Sequence, residues 1–314
     1  MLRITENVRR ITEEQVIRTL PMSAAIEAVE RAFRQLADGT AINHPRRRVV
    51  LPTGSILHYM AAGTPDYFGL KAYSTNPRSG AHFTVLLYRA TDGRPWAEIE
   101  ANHLGQIRTG AASGVATKYL ARENSSVLGV IGSGFQAETQ VAAIAAVRPI
   151  RLVRVWSRSS ERRQEFARKI AKQSQFQVQI ADSAEDAIRE ADVVVTATSA
   201  RDPVLEADWI SAGTHINAVG SNRIDRRELP GDLIYLKANL VTVDSVEQSH
   251  AESGDLMIPL KEDPELHYNA VELCDVIAGR KPGRAHDKEI TIFNSNGLAV
   301  EDVAVAGYVA EHYS

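Results

Sequence analysis

Residues Val127–Ala137, VLGVIGSGFQA, form an apolar run that ends in a glycine-rich turn and passes at once into helix-forming residues. Val127–Ile131 suits a strand buried on both faces. Gly132-Ser133-Gly134-Phe135-Gln136-Ala137 then reads G-x-G-x-x-A at the strand-to-helix junction that a dinucleotide site requires. Gly132 permits the tight turn, Gly134 lets a pyrophosphate approach the backbone, and small Ala137 lets the helix pack on the strand. The N–H groups of the helix start, at the positive end of its dipole, are placed to hold phosphates. The same letters could serve only a tight turn, but the strand before them and the helix after them, Glu138–Val147 ending at Pro149, favour a nucleotide site.

A chain of 314 residues exceeds a typical single core, so two domains are expected to meet near this turn. We place the first at residues 1–122, completed by about 297–314, and the second at 123–296. Beyond the turn, strands and helices alternate: Leu152–Trp156, helix Glu161–Lys172, Val178–Ile180, helix Ser183–Glu190, Asp192–Thr196, His215–Val219 and Leu240–Val243. Such alternation predicts an α/β fold with a doubly wound parallel sheet of the Rossmann type. Before the turn, Thr12-Glu13-Glu14 reads as a helix start, and Ser23 is expected to cap a second helix that Gly39 ends. Arg48–Leu51, Ile56–Met60, Gly69–Tyr73, His82–Tyr88 and Trp96–Glu100 read as short strands, followed by a helix over Leu104–Leu120. The first domain is thus an α+β unit with a mostly antiparallel sheet.

Composition narrows the partners. Lys+Arg 36 against Asp+Glu 39 gives a net charge of -3 with no long basic run, which argues against a nucleic acid. The single cysteine, Cys274, permits neither an intrachain disulfide nor a cysteine-based zinc site. The histidines His82, His103 and His215 lack metal-ligand spacing, so no metal is expected. No apolar stretch approaches the ~20 residues of a membrane span, and the first residues carry no signal-like apolar core. A soluble protein in a reducing, cytoplasmic setting is the expectation.

The end of the second strand of a dinucleotide fold lies beside the adenosine ribose, and here it reads Trp156-Ser157-Arg158-Ser159. No carboxylate stands there to accept from a ribose 2′-hydroxyl. Arg158 can pair with a 2′-phosphate, flanked by the hydroxyls of Ser157 and Ser159, so NADP(H) is preferred, with NAD(H) possible. In the first domain, Arg46-Arg47-Arg48, Lys71 and Arg108 are cations at element ends or on strands. Lys71 stands out because Phe68–Tyr73 is otherwise an apolar strand, where a charge needs a reason.

Several segments, in order, resemble the ornithine cyclodeaminase and mu-crystallin family over nearly the whole chain: FGLKAY, QIRTGAASGVATKYLAR, VIGSGFQA, HINAVGSN and FNSNGLAVEDVA. The resemblance implies a homodimer formed through the first domain and an active site in the cleft between domains. It implies that Arg108 and one of the three adjacent arginines, here taken as Arg47, bind a substrate carboxylate. Lys71 would bind or protonate the substrate near the reacting carbon. His58, Met60, Asn222 and Asn296 are expected near the substrate, and Thr196, Ala197, Thr198, Val219, Ser295 and Gly297 near the nicotinamide.

Two positions depart from the cyclodeaminase pattern. Asn222 in Gly220-Ser221-Asn222 replaces an aspartate, and His58 stands where a glutamate is usual. Asparagine cannot act as a base, and Asp225 is a nearby candidate to substitute for it. The leading expectation is therefore an oxidoreductase interconverting an imino acid and an amino acid: a cyclic ketimine reductase or an alanine-type dehydrogenase. A true cyclodeaminase and a non-catalytic binding protein are the alternatives.

Overall fold

The computed structural model describes residues 8–313. The first elements in chain order are β1 (Arg9–Ile11), α1 (Glu13–Thr19), α2 (Met22–Ala37), β2 (Ile42–Asn43), β3 (Arg47–Val50), β4 (Ile56–Gly63), β5 (Tyr67–Asn76), β6 (Gly80–Arg89), β7 (Pro95–Glu100) and α3 (Asn102–Leu120). There follow β8 (Val127–Ile131), α4 (Phe135–Val147), β9 (Leu152–Trp156), α5 (Ser160–Gln173), β10 (Gln177–Ile180), α6 (Ala184–Ile188), β11 (Val193–Thr196) and β12 (His215–Ala218). The last are β13 (Leu240–Val243), α7 (Val246–Glu252), α8 (Gly254–Glu262), β14 (Val271–Glu272), α9 (Leu273–Ile277), β15 (Thr291–Asn294) and α10 (Ala299–His312). The chain divides into two compact units, Met1–Arg108 with Leu298–Ser314, and Thr109–Gly297. The first border falls inside α3, whereas the sequence places a border after residue 122, past the end of that helix.

In the first unit a sheet runs β1-β7-β6-β5-β4-β2, with β3 also pairing β4; all pairs are antiparallel except β1 with β7. Alternation along the strands sends Met60, Lys71, Val85, Leu87 and Ile99 to one face, where α10 packs on β4, β5 and β6 and against α2. The other face is open: Val49, Leu57, Tyr59 and Phe68 are all exposed on it. At the chain's start, Thr12 and Gln15 form a capping box for α1. Ser23 does not cap α2, which begins at Met22 with Pro21 in the cap position. The correction has a simple cause: proline's fixed φ and missing N–H suit a helix start, so the break comes two residues earlier.

The second unit is an eight-stranded, all-parallel sheet in the order β10-β9-β8-β11-β12-β15-β13-β14. The chain steps outward from β8 through β9 to β10, then returns to lay β11 on the other side of β8, so the order reverses between β8 and β11. Ligands of such sheets bind at the carboxyl ends beside that reversal. Both faces are covered. Leu128, Val130, Val153, Val155 and Val193 pack with Val141, Ile144, Phe166 and Ile170 on one side. Val194, Ile216, Val241 and Ile292 pack with Ile188, Leu233 and Leu256 on the other. Strands covered on both faces read as unbroken apolar runs, which is why they are legible in the sequence.

Candidate active site

At the carboxyl end of β8 the chain turns through Gly132, whose φ is 122°, into α4. A side chain on Gly132 would strike the carbonyl of Ala197, which follows β11, so only glycine fits this turn. Gly134 is the N-cap of α4 and is different: a Cβ there would meet nothing within 4 Å. The protein's own packing does not require glycine at 134, so the open space lies in front of the helix start. A groove of about 1230 Å³ opens at this point, lined by Gly132, Ser133, Gly134, Ser157, Arg158, Ser159, Arg162, Ala197, Thr198, Arg201 and the apolar Trp156, Val204, Leu205 and Trp209. Ser133 Oγ donates to Ser157 Oγ at 2.8 Å, joining the glycine turn to the end of β9. These residues fit a dinucleotide: a glycine turn at a helix start for the pyrophosphate, an apolar wall, and three arginines, Arg158, Arg162 and Arg201, in the same lining as two acids, Asp202 and Glu206.

The remaining nucleotide residues named from the sequence fall into two groups. Phe135, exposed, and Gln136 start α4, while buried Ala137 lets that helix close on the sheet. Thr196 is buried and donates to Glu228, whereas Val219, Ser295 and Gly297 do not line the groove. Asp244 gathers the Ser295 hydroxyl at 3.1 Å and the Asn296 N–H at 2.8 Å, together with the Gly297 N–H, at the ends of β13 and β15.

The first unit holds a separate buried ionic cluster. Lys71 of β5 is 3% exposed and donates to Asp302 of α10 at 2.7 Å. Arg108 of α3 donates through Nε to the same Asp302 oxygen at 3.1 Å and through Nη1 to Glu301 at 2.9 Å. Asp302 Oδ2 is buried with no hydrogen-bond partner among the described residues. Gly105 of α3 makes room for the ammonium, since a Cβ there would lie 3.3 Å from Lys71 Nζ. Burial lowers the Lys71 pKa to about 8, opposed by Asp302 and reinforced by the positive charges of Arg108 and Arg46.

Arg46, not Arg47, joins this cluster. Arg46 is 8% exposed and its charge is felt by Lys71, whereas Arg47 and Arg48 are exposed on β3. β3 begins at Arg47 and pairs it with Tyr59, which is exposed on the open face of the sheet. Met60 is buried and lies opposite Lys71 in the β4–β5 register. His58 stacks on Tyr73 with ring centroids 4.3 Å apart, and its Nε2 lies 3.1 Å from Thr75 Oγ1. Burial, with the charges of Arg48 and Arg46, lowers its pKa to about 4, so it is neutral at pH 7.

Among the remaining sequence candidates, Asn222 is exposed on the loop after β12, and Asn296 Nδ2 donates to the Ser221 carbonyl beside it at 3.3 Å. Asp225 is exposed and gripped by Arg223 through two bonds of 2.9 Å. Sequence reasoning passed over Glu301 and Asp302, although two adjacent acids opening the apolar run of FNSNGLAVEDVA were a visible signal. It also passed over Glu228 and Asp255, for which no local pattern stands out. Among the described residues no group of acids, histidines and cysteines could hold a metal ion.

The sequence profile of the ornithine cyclodeaminase/mu-crystallin family matches residues 7–314. Delta(1)-pyrroline-2-carboxylate reductase from Bacillus cereus is 45% identical over 229 residues, 72% of this chain and 70% of that protein. Alanine dehydrogenase from Archaeoglobus fulgidus is 38% identical over 314 residues, 96% of this chain and 94% of that one. Among solved structures, Thermococcus litoralis Delta(1)-pyrroline-2-carboxylate reductase in complex with NADH and L-proline superposes with a TM-score of 0.90 at 35% identity, covering 97% of each chain.

Proposed function

The chain belongs to the ornithine cyclodeaminase/mu-crystallin family, and from that premise we propose that it is an NAD(P)H-dependent oxidoreductase interconverting a cyclic imino acid carboxylate and the corresponding amino acid. The observation that carries the reading is the buried cluster of the first unit. Lys71 and Arg108 meet Asp302 and Glu301 there, Arg46 is close enough for Lys71 to feel its charge, and Asp302 Oδ2 has no hydrogen-bond partner among the described residues. Two buried arginines beside a lysine suit an anion, and a carboxylate matches the planar fork of a guanidinium.

When bound, the nicotinamide supplies or takes up the hydride. Arg108 and Arg46 hold the substrate carboxylate and fix the plane of the molecule. Lys71 delivers the proton to the substrate nitrogen during reduction and receives it back during oxidation, its lowered pKa suiting both directions near neutral pH. Asp302 Oδ1 fixes Lys71 and Arg108 relative to each other, and its Oδ2 remains able to accept an N–H of the product amine.

Three finer assignments belong to the same proposal. The cofactor is NADP(H) in preference to NAD(H), because Arg158, with Arg162 beside it in the groove, can pair with a 2′-phosphate and no carboxylate stands at the end of β9. The protein is a homodimer through the open face of the first unit, whose exposed Val49, Leu57, Tyr59 and Phe68 form an apolar surface that a second copy would cover. The reaction is reduction or dehydrogenation and not cyclodeamination, because exposed Asn222 offers no base and Asp225 is engaged by Arg223. The test is a panel of cyclic imines and 2-oxo acids with amines, followed by nicotinamide absorbance. Turnover of a cyclic ketimine carboxylate supports the assignment, and inertness toward the whole panel contradicts it.

A further inference from the structure

Glu228 lies in the segment between β12 and β13, is 0% exposed, and does not itself line the groove. Its carboxylate nevertheless collects the ends of two neighbouring strands. Oε1 accepts the Thr198 N–H at 2.6 Å, just past β11, while Oε2 accepts the Gly220 N–H at 2.7 Å, just past β12, and the Thr196 hydroxyl at 3.0 Å. The approach is so close that a Cβ on Gly220 would collide with the Thr198 backbone and with Glu228 Oε1. Asp255 of α8 fixes Glu228 in turn, accepting the N–H groups of Glu228 and Leu229, and its other oxygen accepts from Asn294 at the end of β15. Three adjacent strand ends on the far side of the β8–β11 reversal are thus tied to one pair of buried carboxyls. In a fold of this kind that side serves the nicotinamide half of the nucleotide.

We propose that Glu228 is a positioning residue for the nucleotide: its ionised carboxylate draws the turns after β11 and β12 together, and its protonation releases one of them. The inference rests on the dinucleotide reading of the groove, because Thr198 lines that groove and its N–H is held by Glu228. All three partners are donors in the arrangement described, which only an ionised carboxyl can accept in full. A proton on Oε1 would confront the Thr198 N–H. A proton on Oε2 could turn toward the Thr196 hydroxyl, but that oxygen would then be a poor acceptor for Gly220.

The charge is finely balanced by its surroundings. No lysine or arginine side chain pairs with Glu228 among the described residues. Burial and the neighbouring Asp255 carboxylate push its pKa up to about 7, against the hydrogen bonds from Thr198 and Gly220. The other charged groups on the packed elements are Arg227, which pairs with Glu262 of α8 at 2.8 Å and acts on Asp255, Arg226, which reaches the Ser199 carbonyl, the Arg223–Asp225 pair, and the exposed Lys261 of α8 and Arg201 and Asp202 after β11. None of these forms an ion pair with Glu228 among the described residues.

The test is NADH affinity at pH 8 and pH 6 for the wild-type protein and Glu228→Gln, NADH being chosen because it lacks a titrating 2′-phosphate. With binding linked to ionised Glu228, wild-type affinity should weaken by about tenfold from pH 8 to pH 6. Glu228→Gln, a neutral mimic of the protonated form, should bind weakly and equally at both. A variant that keeps the wild-type pH dependence, or a wild type without any, would overturn the inference. Should the variant not fold, calorimetry of the wild type at pH 7 in two buffers of different ionisation heat decides: release of about half a proton on NADH binding is expected, and no release overturns the proposal. Absence of NADH binding at pH 8 would remove the dinucleotide reading as well, whereas pH-independent binding removes only the role of Glu228.

Discussion

Lys71 is a charge that survives burial because Asp302 holds it, and its chemistry follows from that pairing. Lys71→Met should lower kcat by about 10²–10⁴-fold while leaving NADPH affinity unchanged, as for a proton donor acting in the transition state. Its pKa of about 8 sets a pH dependence of definite sign. Below about 8 the ammonium carries the proton that reduction consumes, so reductive kcat should be high there and fall as pH rises through 8. Oxidation needs the neutral amine and should rise through the same range. Parallel pH profiles in both directions, or profiles unchanged in Lys71→Met, would contradict the role. The neighbouring arginines provide a sharper contrast. Arg46→Ala removes a buried charge-assisted contact worth about 1.5–3 kcal/mol, so KM should rise roughly 10- to 100-fold, whereas Arg47→Ala should change it little. The reverse order would restore Arg47.

At the scale of elements, the β8 turn and the end of β9 divide the work of holding a nucleotide. Gly132→Ala places a methyl against the Ala197 carbonyl at a φ of 122°, so it should destabilise the fold by on the order of 1–3 kcal/mol and abolish nucleotide binding. Arg158→Ala should leave stability and NADH affinity alone and cost NADPH most of its advantage; equal wild-type affinities for the two nucleotides would sink the 2′-phosphate assignment. These elements were legible in the sequence because β8 and β11 are buried and read as apolar runs, β9 is apolar but for Arg154, and the glycine turn follows β8. The short or partly exposed pieces were not: β1 is three residues long, β2 and β14 two, and none carries a periodicity. Which of Arg46, Arg47 and Arg48 meets the cluster was not legible, because alternate residues of an extended chain face opposite ways and the strand, expected from Arg48, begins at Arg47. Lys71 and Arg108 could be named from the sequence, but their counter-ions could not: α10 follows β5 by more than two hundred residues, and nothing local in Glu301-Asp302 says which cation they meet.

For the whole molecule, the open apolar face of the first unit predicts self-association. Leu57→Asp, which puts a charge into that face without touching the buried side of the sheet, should convert a dimer into a monomer by light scattering; a wild-type monomer at micromolar concentration would refute the dimer. No helix among the described residues is long and apolar enough to cross a membrane. The central claim is the reaction class, and it is tested most directly by stoichiometry. Cyclodeamination leaves the cofactor unchanged overall, whereas imine reduction consumes it. NADPH absorbance at 340 nm should fall by one equivalent per equivalent of a cyclic ketimine carboxylate, and the same protein with ornithine and catalytic cofactor should form little or no proline. Asn222→Asp should raise whatever trace of proline is found. Efficient conversion of ornithine to proline and ammonia without net NADPH oxidation would contradict the account.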